Sequence, residues 1–278
     1  MSEAYKKFDL TGKTAFVTGG GTGLGYVMSR GLARSGAKVM IASRREHILK
    51  EAAKKLTEEA DGNQVLYTTV DLSDRTSVAK AADYVIEQLG GVDIFIGNAA
   101  MDSYEPVDSI SEQQLDGMLE VNLVANISLV KAFLPHMRKK KWGRVIFSSS
   151  VCAIRGAAQE RVSVYSTVKG GLNAFIRSGA SEAGHDGITF NSLNLGIYQT
   201  DLFLGYVASL DESEGPGTTE AYLKHSSSNT ALGRLGDCDE VEGMVQLLAS
   251  NAGSYITGAN VSIDGGISIM LRPNLSED

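Results

Sequence analysis

Apolar and polar positions alternate in two rhythms along the chain. Short runs rich in Val, Ile and Phe, bounded by Gly, Asp or Ser, predict buried strands at 13–18, 38–42, 65–70, 92–96, 143–149, 188–194 and 260–263. Between them lie stretches with helical period. The first, 24–35, puts Leu24, Val27, Met28, Leu32 and Ala33 on one stripe. Segments 46–60, 75–89, 111–140, 165–184 and 237–249 read the same way, and Ser111 with Gln114 forms a capping-box pattern. Strands separated by helices imply parallel pairing through right-handed crossovers. Near-continuous apolar strands fit a sheet covered on both faces. With no Pro/Gly/Ser-rich linker and no internal repeat, the expectation is one α/β domain containing a seven-stranded, doubly wound parallel sheet.

Segment 200–234 breaks the rhythm with Gly215-Pro216-Gly217, an acidic run at Asp211-Glu212-Ser213-Glu214, and Ser226-Ser227-Ser228. It is long for a connection, which favours a lid or binding loop over a passive insertion.

Composition adds exclusions. The 278 residues are 43% hydrophobic and 21% charged with a formal net charge of −7, an ordinary globular balance. Mild acidity argues against a nucleic-acid partner. Two separated cysteines, Cys152 and Cys238, make no disulfide framework and suggest a reduced, cytoplasmic setting. No secretory leader is expected at the N-terminus, no address at Leu275-Ser276-Glu277-Asp278, and no window approaches a membrane span. His47, His136, His185 and His225 lack metal-ligand spacing and read as surface or loop residues, so no metal is expected.

The first candidate site is Thr18-Gly19-Gly20-Gly21-Thr22-Gly23-Leu24-Gly25, which follows the first strand and opens the first helix. Gly19, Gly21, Gly23 and Gly25 let backbone approach a pyrophosphate, and Thr22, Leu24 and the helix N-terminus offer free N–H groups to it. The adenosine end of such a dinucleotide lies over the second strand's end. There Ser43 occupies the place of a ribose-binding carboxylate, followed by Arg44 and Arg45. A guanidinium forks onto a 2′-phosphate but cannot accept a ribose hydroxyl, so NADP(H) is expected. The alternative is that both arginines are solvated surface charges.

The second candidate is Tyr165-Ser166-Thr167-Val168-Lys169, preceded by Ser148-Ser149-Ser150 at the end of the fifth strand. Tyr165 and Lys169 share a helix face. A nearby ammonium, with the positive nicotinamide, favours the phenolate and lowers the phenol's pKa, which fits proton transfer. A serine at the strand end can hold the substrate oxygen.

From about residue 8 to 267 the chain resembles the short-chain dehydrogenase/reductase family. The resemblance rests on the glycine motif, Asp71-Leu72, Asn98-Ala99-Ala100, Asn122, the serine, the Tyr/Lys pair and Asp264-Gly265-Gly266, all in family order. It implies a Rossmann-like fold and reversible hydride transfer on a small carbonyl/alcohol substrate. It also implies Tyr165 as acid/base, Lys169 on the nicotinamide ribose and lowering the tyrosine's pKa, Ser150 orienting the carbonyl, and Asn122 holding a relay water. Asp71 is then the adenine contact, Asn98 and Ala99 the ribose contact, and Thr200, after Gly196, the carboxamide or phosphate contact. A homodimer or homotetramer is expected.

The chain departs from the family at several points. Cys152 stands at the usual serine spacing, whereas Ser150 keeps the surrounding register if two residues are inserted between Gly156 and Tyr165; Ser149 is the alternative. Gly97 replaces the first Asn of the family's Asn-Asn-Ala-Gly, and Leu195 the Pro of its Pro-Gly. Tyr198 replaces Ile or Val; either it reshapes the nicotinamide or substrate pocket, or only its backbone matters. Ala153, Ile154, Gln159 and Tyr198 are candidate specificity positions. The basic run Arg138-Lys139-Lys140-Lys141 reads as a solvated helix end, or as a dock for an acyl carrier protein. The competing functions are therefore a small-molecule carbonyl reductase, a 3-oxoacyl-thioester reductase and a non-catalytic NADP(H)-binding regulator.

Overall fold

The structure, a computed structural model, describes residues 3–156 and 161–270. Seven parallel strands form one sheet: β1 (Thr14–Thr18), β2 (Lys38–Ser43), β3 (Val65–Thr69), β4 (Ile94–Gly97), β5 (Gly143–Ser150), β6 (Ile188–Leu195) and β7 (Asn260–Ile263). Their spatial order is β3-β2-β1-β4-β5-β6-β7. The order reverses between β1 and β4, and in such sheets ligands bind outside the carboxyl ends of the strands at that switch point. The helices are α1 (Glu3–Lys6), α2 (Gly23–Arg34), α3 (Glu46–Glu59), α4 (Arg75–Leu89), α5 (Glu112–Leu119), α6 (Ala125–Lys140), α7 (Ser163–Ala183), α8 (Asp201–Glu214), α9 (Thr218–Ser228) and α10 (Glu242–Ala249).

The period-2 rule divides the strand residues between two cores. Ala15, Val17, Val39, Ile41, Ile94 and Ile96 face α2, α3 and α10 through Met28, Leu32, Leu49, Leu56, Val245 and Leu248. Phe16, Met40, Phe95, Val145 and Phe147 face α4, α6 and α7 through Val85, Leu129, Phe133, Leu172 and Ile176. The second core is aromatic: the Phe133 ring meets Phe16 and Phe95 edge-on at 5.7 and 5.5 Å.

Five expectations change. The single helix predicted over 111–140 starts from its capping box, with Gln114 N donating to Ser111 Oγ at 3.2 Å. It is then split by a π-helical turn (Glu120–Val124) centred on Asn122. Such a turn inserts one residue into the helix and re-aims a side chain. The same stretch, Glu112–Lys140, contains an 18-residue window of mean hydropathy 1.4, long and apolar enough to span a membrane by length and composition. That corrects the expectation of no such window; here Leu129, Phe133 and Met137 of that helix are buried in the second core. Segment 200–234 is mostly helical rather than a loop, with α8 and α9 joined at Gly215 and Gly217, both at positive φ.

The basic run is not merely solvated either. Lys140 Nζ donates to both oxygens of Asp93 at 2.9 and 3.1 Å, and Arg138 and Lys141 pair with Asp186. His136, read as a surface residue, also reaches Asp93, at 3.2 Å. Asp93 is fully buried and its carboxyl is held below the usual range; burial opposes this, and the hydrogen bonds from Lys140 and the Thr14 amide outweigh it.

Candidate active site

The glycine motif turns from β1 into α2. Gly19 has φ +68°, and a Cβ there would lie 2.9 Å from Asn98 Nδ2 and 3.0 Å from Ala99 Cα. A Cβ on Gly25 would meet the Gly19 carbonyl oxygen at 2.1 Å, so strand and helix touch only because that position is bare. Gly23 (φ +53°) abuts Thr200 Cγ2, whereas Gly21 leaves ordinary contact distances to Ile48 and Leu49. Gly20, which the sequence reading passed over, packs on Ile41; its signal was only its place within the motif. Thr22 is the N-cap of α2, yet its side chain makes no capping bond, and Leu24 packs its side chain into the first core. A 12-residue helix thus points its N-terminal N–H groups at a turn held tight by the bare Gly19 and Gly25, which fits a pyrophosphate.

Asn98 ties the neighbouring strands together. Its Nδ2 donates to the carbonyls of Thr18 and Gly19 at 3.3 and 3.4 Å, and its Oδ1 accepts from Ser148 Oγ at 2.9 Å. The Asn98 and Ala99 amides both donate to Thr18 Oγ1, at 3.1 and 3.2 Å. On the far side of β1, Ser43 ends β2, and Arg44 and Arg45 are exposed beyond it. Asp71 accepts from Ser73 N and Oγ at 2.9 and 2.6 Å. Those bonds, helped by the Arg44 charge, hold its carboxyl below the usual range. Leu72 is buried in the second core. A Cβ on Gly196 would lie 2.7 Å from Asp264 Cα, and Thr200 Oγ1 caps α8 by accepting from Phe203 N at 3.1 Å.

Three serines end β5, and they point to different partners. Ser148 Oγ donates to Asn98, and Ser149 Oγ donates to the Lys169 carbonyl at 3.3 Å. Ser150 Oγ accepts from Cys152 N at 3.1 Å and is hydrogen-bonded to the Tyr165 side chain. Of the two candidate serines, Ser150 is therefore the one beside the tyrosine. Tyr165 lies in the first turn of α7, and Lys169 one turn later places its ammonium 5.4 Å from the Tyr165 ring centroid.

The electrostatics differ from the expected pattern. Burial pushes the Tyr165 phenol up, the nearby Cys152 and Asp102 add to the rise, and the Ser150 hydrogen bond opposes it. Lys169 is itself buried beside it. Its ammonium donates to the Ser148 carbonyl at 2.7 Å, and burial pushes its own pKa down to about 8.

Asn122 is completely buried, and its side chain bonds both backbone polar groups of Met101. Nδ2 donates to the Met101 carbonyl at 2.7 Å, and Oδ1 accepts from the Met101 amide at 2.9 Å. Its own carbonyl accepts from Asn126 Nδ2 at 2.8 Å. The amide thus fixes the segment after β4. Tyr198 is buried too: its hydroxyl donates to the Ile263 carbonyl at 2.7 Å, and its ring lies where a Cβ on Gly236 would be, 2.7 Å away. It is tethered to the core at Ile263 and packed on Gly236. The insertion inferred before Tyr165 falls in the segment containing 157–160, which with Gln159 and the C-terminal residues 271–278 lies outside the described residues.

The carboxyl ends of β1, β4, β5 and β6 therefore gather a phosphate cradle, an asparagine strap and a Ser/Tyr/Lys group at the switch point. The short chain dehydrogenase family model matches residues 13–209. The short chain dehydrogenase/reductase astE of Aspergillus oryzae is 32% identical over 271 residues, covering 97% of this chain and all of that one. Versicolorin reductase stcU of Emericella nidulans is 30% identical over 262 residues, 93% of this chain and 97% of that one. Among solved structures, L-sorbose reductase from Gluconobacter frateurii, complexed with NADPH and L-sorbose, is similar with a TM-score of 0.89 and 27% identity, covering 95% of this chain and 100% of that chain. Matched by the family model and aligned almost end to end with such relatives, the chain belongs to the short-chain dehydrogenase/reductase family, oxidoreductases acting on carbonyl and alcohol groups.

Proposed function

We propose that the chain is an NADP(H)-dependent reductase/dehydrogenase of a small carbonyl/alcohol substrate, with Tyr165 as the proton donor and acceptor. The observation that carries this reading is the convergence of Ser150, Tyr165 and Lys169 beside the phosphate cradle. When bound, NADPH supplies the hydride. The bare backbone of Gly19, Gly21, Gly23 and Gly25 and the α2 N-terminus hold the pyrophosphate. Arg44, exposed at the end of β2 and within electrostatic reach of Asp71, takes the 2′-phosphate. Ser150 Oγ and the Tyr165 hydroxyl bind the substrate oxygen, and Tyr165 passes it a proton as negative charge develops there. Lys169, mostly protonated at pH 7 with its pKa near 8, stabilises the phenolate left behind. Asn122, at the π turn, holds the water that relays protons between Lys169 and solvent.

The ion pairs of Arg138, Lys140 and Lys141 leave little of the basic run for a carrier protein, which favours the small-molecule reading over a thioester one. The helical segment α8–α9, capped beside Gly23, acts as the lid, and the protein assembles as a homodimer or homotetramer, which light scattering distinguishes.

The test is NADPH oxidation over a panel of ketones and aldehydes by wild type and Tyr165→Phe. Loss of the general acid should lower kcat/KM by roughly 10²–10⁴-fold. NADPH binding without turnover of any carbonyl overturns the enzyme reading, and equal rates overturn the role of Tyr165. Arg44→Asp should weaken NADPH much more than NADH; equal weakening refutes the 2′-phosphate contact.

A further inference from the structure

One group near the reacting atoms has no part in the mechanism above. The segment after β4, pinned at Met101 by Asn122, carries Asp102 and Tyr104. The Tyr104 hydroxyl donates to Asp102 Oδ2 at 3.3 Å. Its ring stacks on Tyr206 of α8, with centroids 6.2 Å apart and planes 8° from parallel. Tyr206 meets Tyr222 of α9 edge-on at 6.2 Å, and Tyr222 meets Phe203 at 6.3 Å. Four aromatic rings from three separate elements therefore form one continuous wall.

The wall borders the cleft. The phenol of Tyr104 is pushed up by burial and by the nearby Asp102, Tyr165 and Tyr222, although 54% of the residue's surface is exposed. Both facts hold if its hydroxyl end is inside the cleft near Tyr165 while its ring flank faces outward. Tyr206 is also half exposed, at 48%, so the wall is not used up by packing against the body. Exposed aromatic surface beside a catalytic group is costly in water and favourable against a flat apolar ligand.

Resting on the oxidoreductase reading, we propose that Tyr104, Tyr206 and Tyr222 are specificity-determining residues that select a planar aromatic ketone, with Asp102 holding the Tyr104 hydroxyl at the polar end of the wall. A bicyclic ketone with a fused aromatic ring, its carbonyl oxygen between Ser150 and Tyr165, would lay that ring against this wall. A saturated ketone of equal size would forgo the ring–ring contacts.

The matched probes are 2-tetralone and 2-decalone, which share a bicyclic skeleton and an unconjugated carbonyl but differ in aromaticity. Wild type should prefer 2-tetralone in kcat/KM by about ten-fold, the scale of one or two aromatic pairs. Tyr206→Leu and Tyr104→Leu should each cut that ratio to about two-fold, mainly through KM. Calorimetry with the Tyr165→Phe protein and NADP⁺ should show the same preference in binding, independent of turnover. A wild-type ratio near one, or a ratio that neither substitution moves, overturns the proposal. If small aliphatic carbonyls are reduced but neither bicyclic ketone is, the substrate class is wrong and the oxidoreductase reading stands. If no carbonyl is reduced, both fail.

Discussion

Gly97 is where the family pattern has the first asparagine of Asn-Asn-Ala-Gly, and the structure gives a reason that can be measured. A Cβ on Gly97 would lie 2.2 Å from Asn126 Oδ1, 3.0 Å from Asn126 Cγ and 2.8 Å from Phe147 Cδ1. Asn126 is buried and fills that space; its Oδ1 has no hydrogen-bond partner, while its Nδ2 donates to the Asn122 carbonyl. Gly97→Ala forces one extra methyl into a full core, costing about 1–3 kcal/mol. Displacing Asn126 also forfeits its bond to Asn122, worth about 1 kcal/mol. Asn126→Ala alone loses that bond but removes a buried unpaired acceptor, so its net effect should stay within about 1 kcal/mol. The double variant gives the new methyl room and should recover about 1–3 kcal/mol relative to the sum of the single changes. Urea denaturation followed by circular dichroism reads all four corners of the cycle. If the two costs add, or Gly97→Ala is neutral, the claim that Asn126 occupies the missing side chain's place is wrong.

Other consequences follow from single contacts. Tyr198→Phe removes the bond to Ile263 but leaves that carbonyl the Gly196 amide at 3.1 Å, so thermal unfolding should show a loss of about 1 kcal/mol; a loss above about 3 kcal/mol would mean Tyr198 does more than tether. Lys169 has a folded-state pKa of about 8 against 10.5 ordinarily, so between those values the unfolded chain binds more protons and this group's contribution to stability rises with pH. The stability difference between cofactor-free wild type and Lys169→Met should therefore shift by up to roughly 3 kcal/mol in the wild type's favour from pH 8 to 10.5; a flat difference rejects a depressed Lys169. Asp93→Asn leaves Lys140 and His136 unpaired at the base of β4. It should cost about 1–3 kcal/mol at pH 7 because Lys140 is partly solvated, and the cost should vanish as pH falls through the depressed Asp93 value. A pH-independent cost would assign the effect to packing.

What was readable in the sequence was what repeats or what has to be bare. The strands announced themselves because burial on both faces demands unbroken apolar runs, and their helices by stripes such as Met28, Leu32 and Ala33. Gly19 and Gly25 were readable because a backbone approach of this kind admits no side chain. The misses share a different cause. The π turn at Asn122 leaves no mark on helical periodicity, since one inserted residue is absorbed by its side chain's bonds to Met101. The tether of Tyr198 was not legible because its partners, Gly236 and Ile263, are distant in sequence. The helices of segment 200–234 were obscured by Gly215 and Gly217, which mark a turn equally well between helices or within a loop. His136 and Lys140 could not be assigned to Asp93 without the crossover that brings α6 beneath β4.

Tyr165 shows why a motif does not fix a protonation state. Tyrosine and lysine one turn apart suggest a phenol lowered by an ammonium, yet both groups are desolvated together, and Lys169 turns its ammonium to the Ser148 carbonyl. Desolvation raises one group and lowers the other, so burial keeps the phenol protonated and makes the ammonium easier to deprotonate. Under the mechanism proposed above, this state serves reduction: the acid arrives with its proton, and the Ser150 hydrogen bond and Lys169 charge matter as the phenolate forms. For oxidation the same site must first lose that proton against burial and against Asp102. Under that mechanism, the positive charge of an oxidised nicotinamide, when bound, would supply the counterweight and couple the acid–base half of the reaction through electrostatics to the redox half.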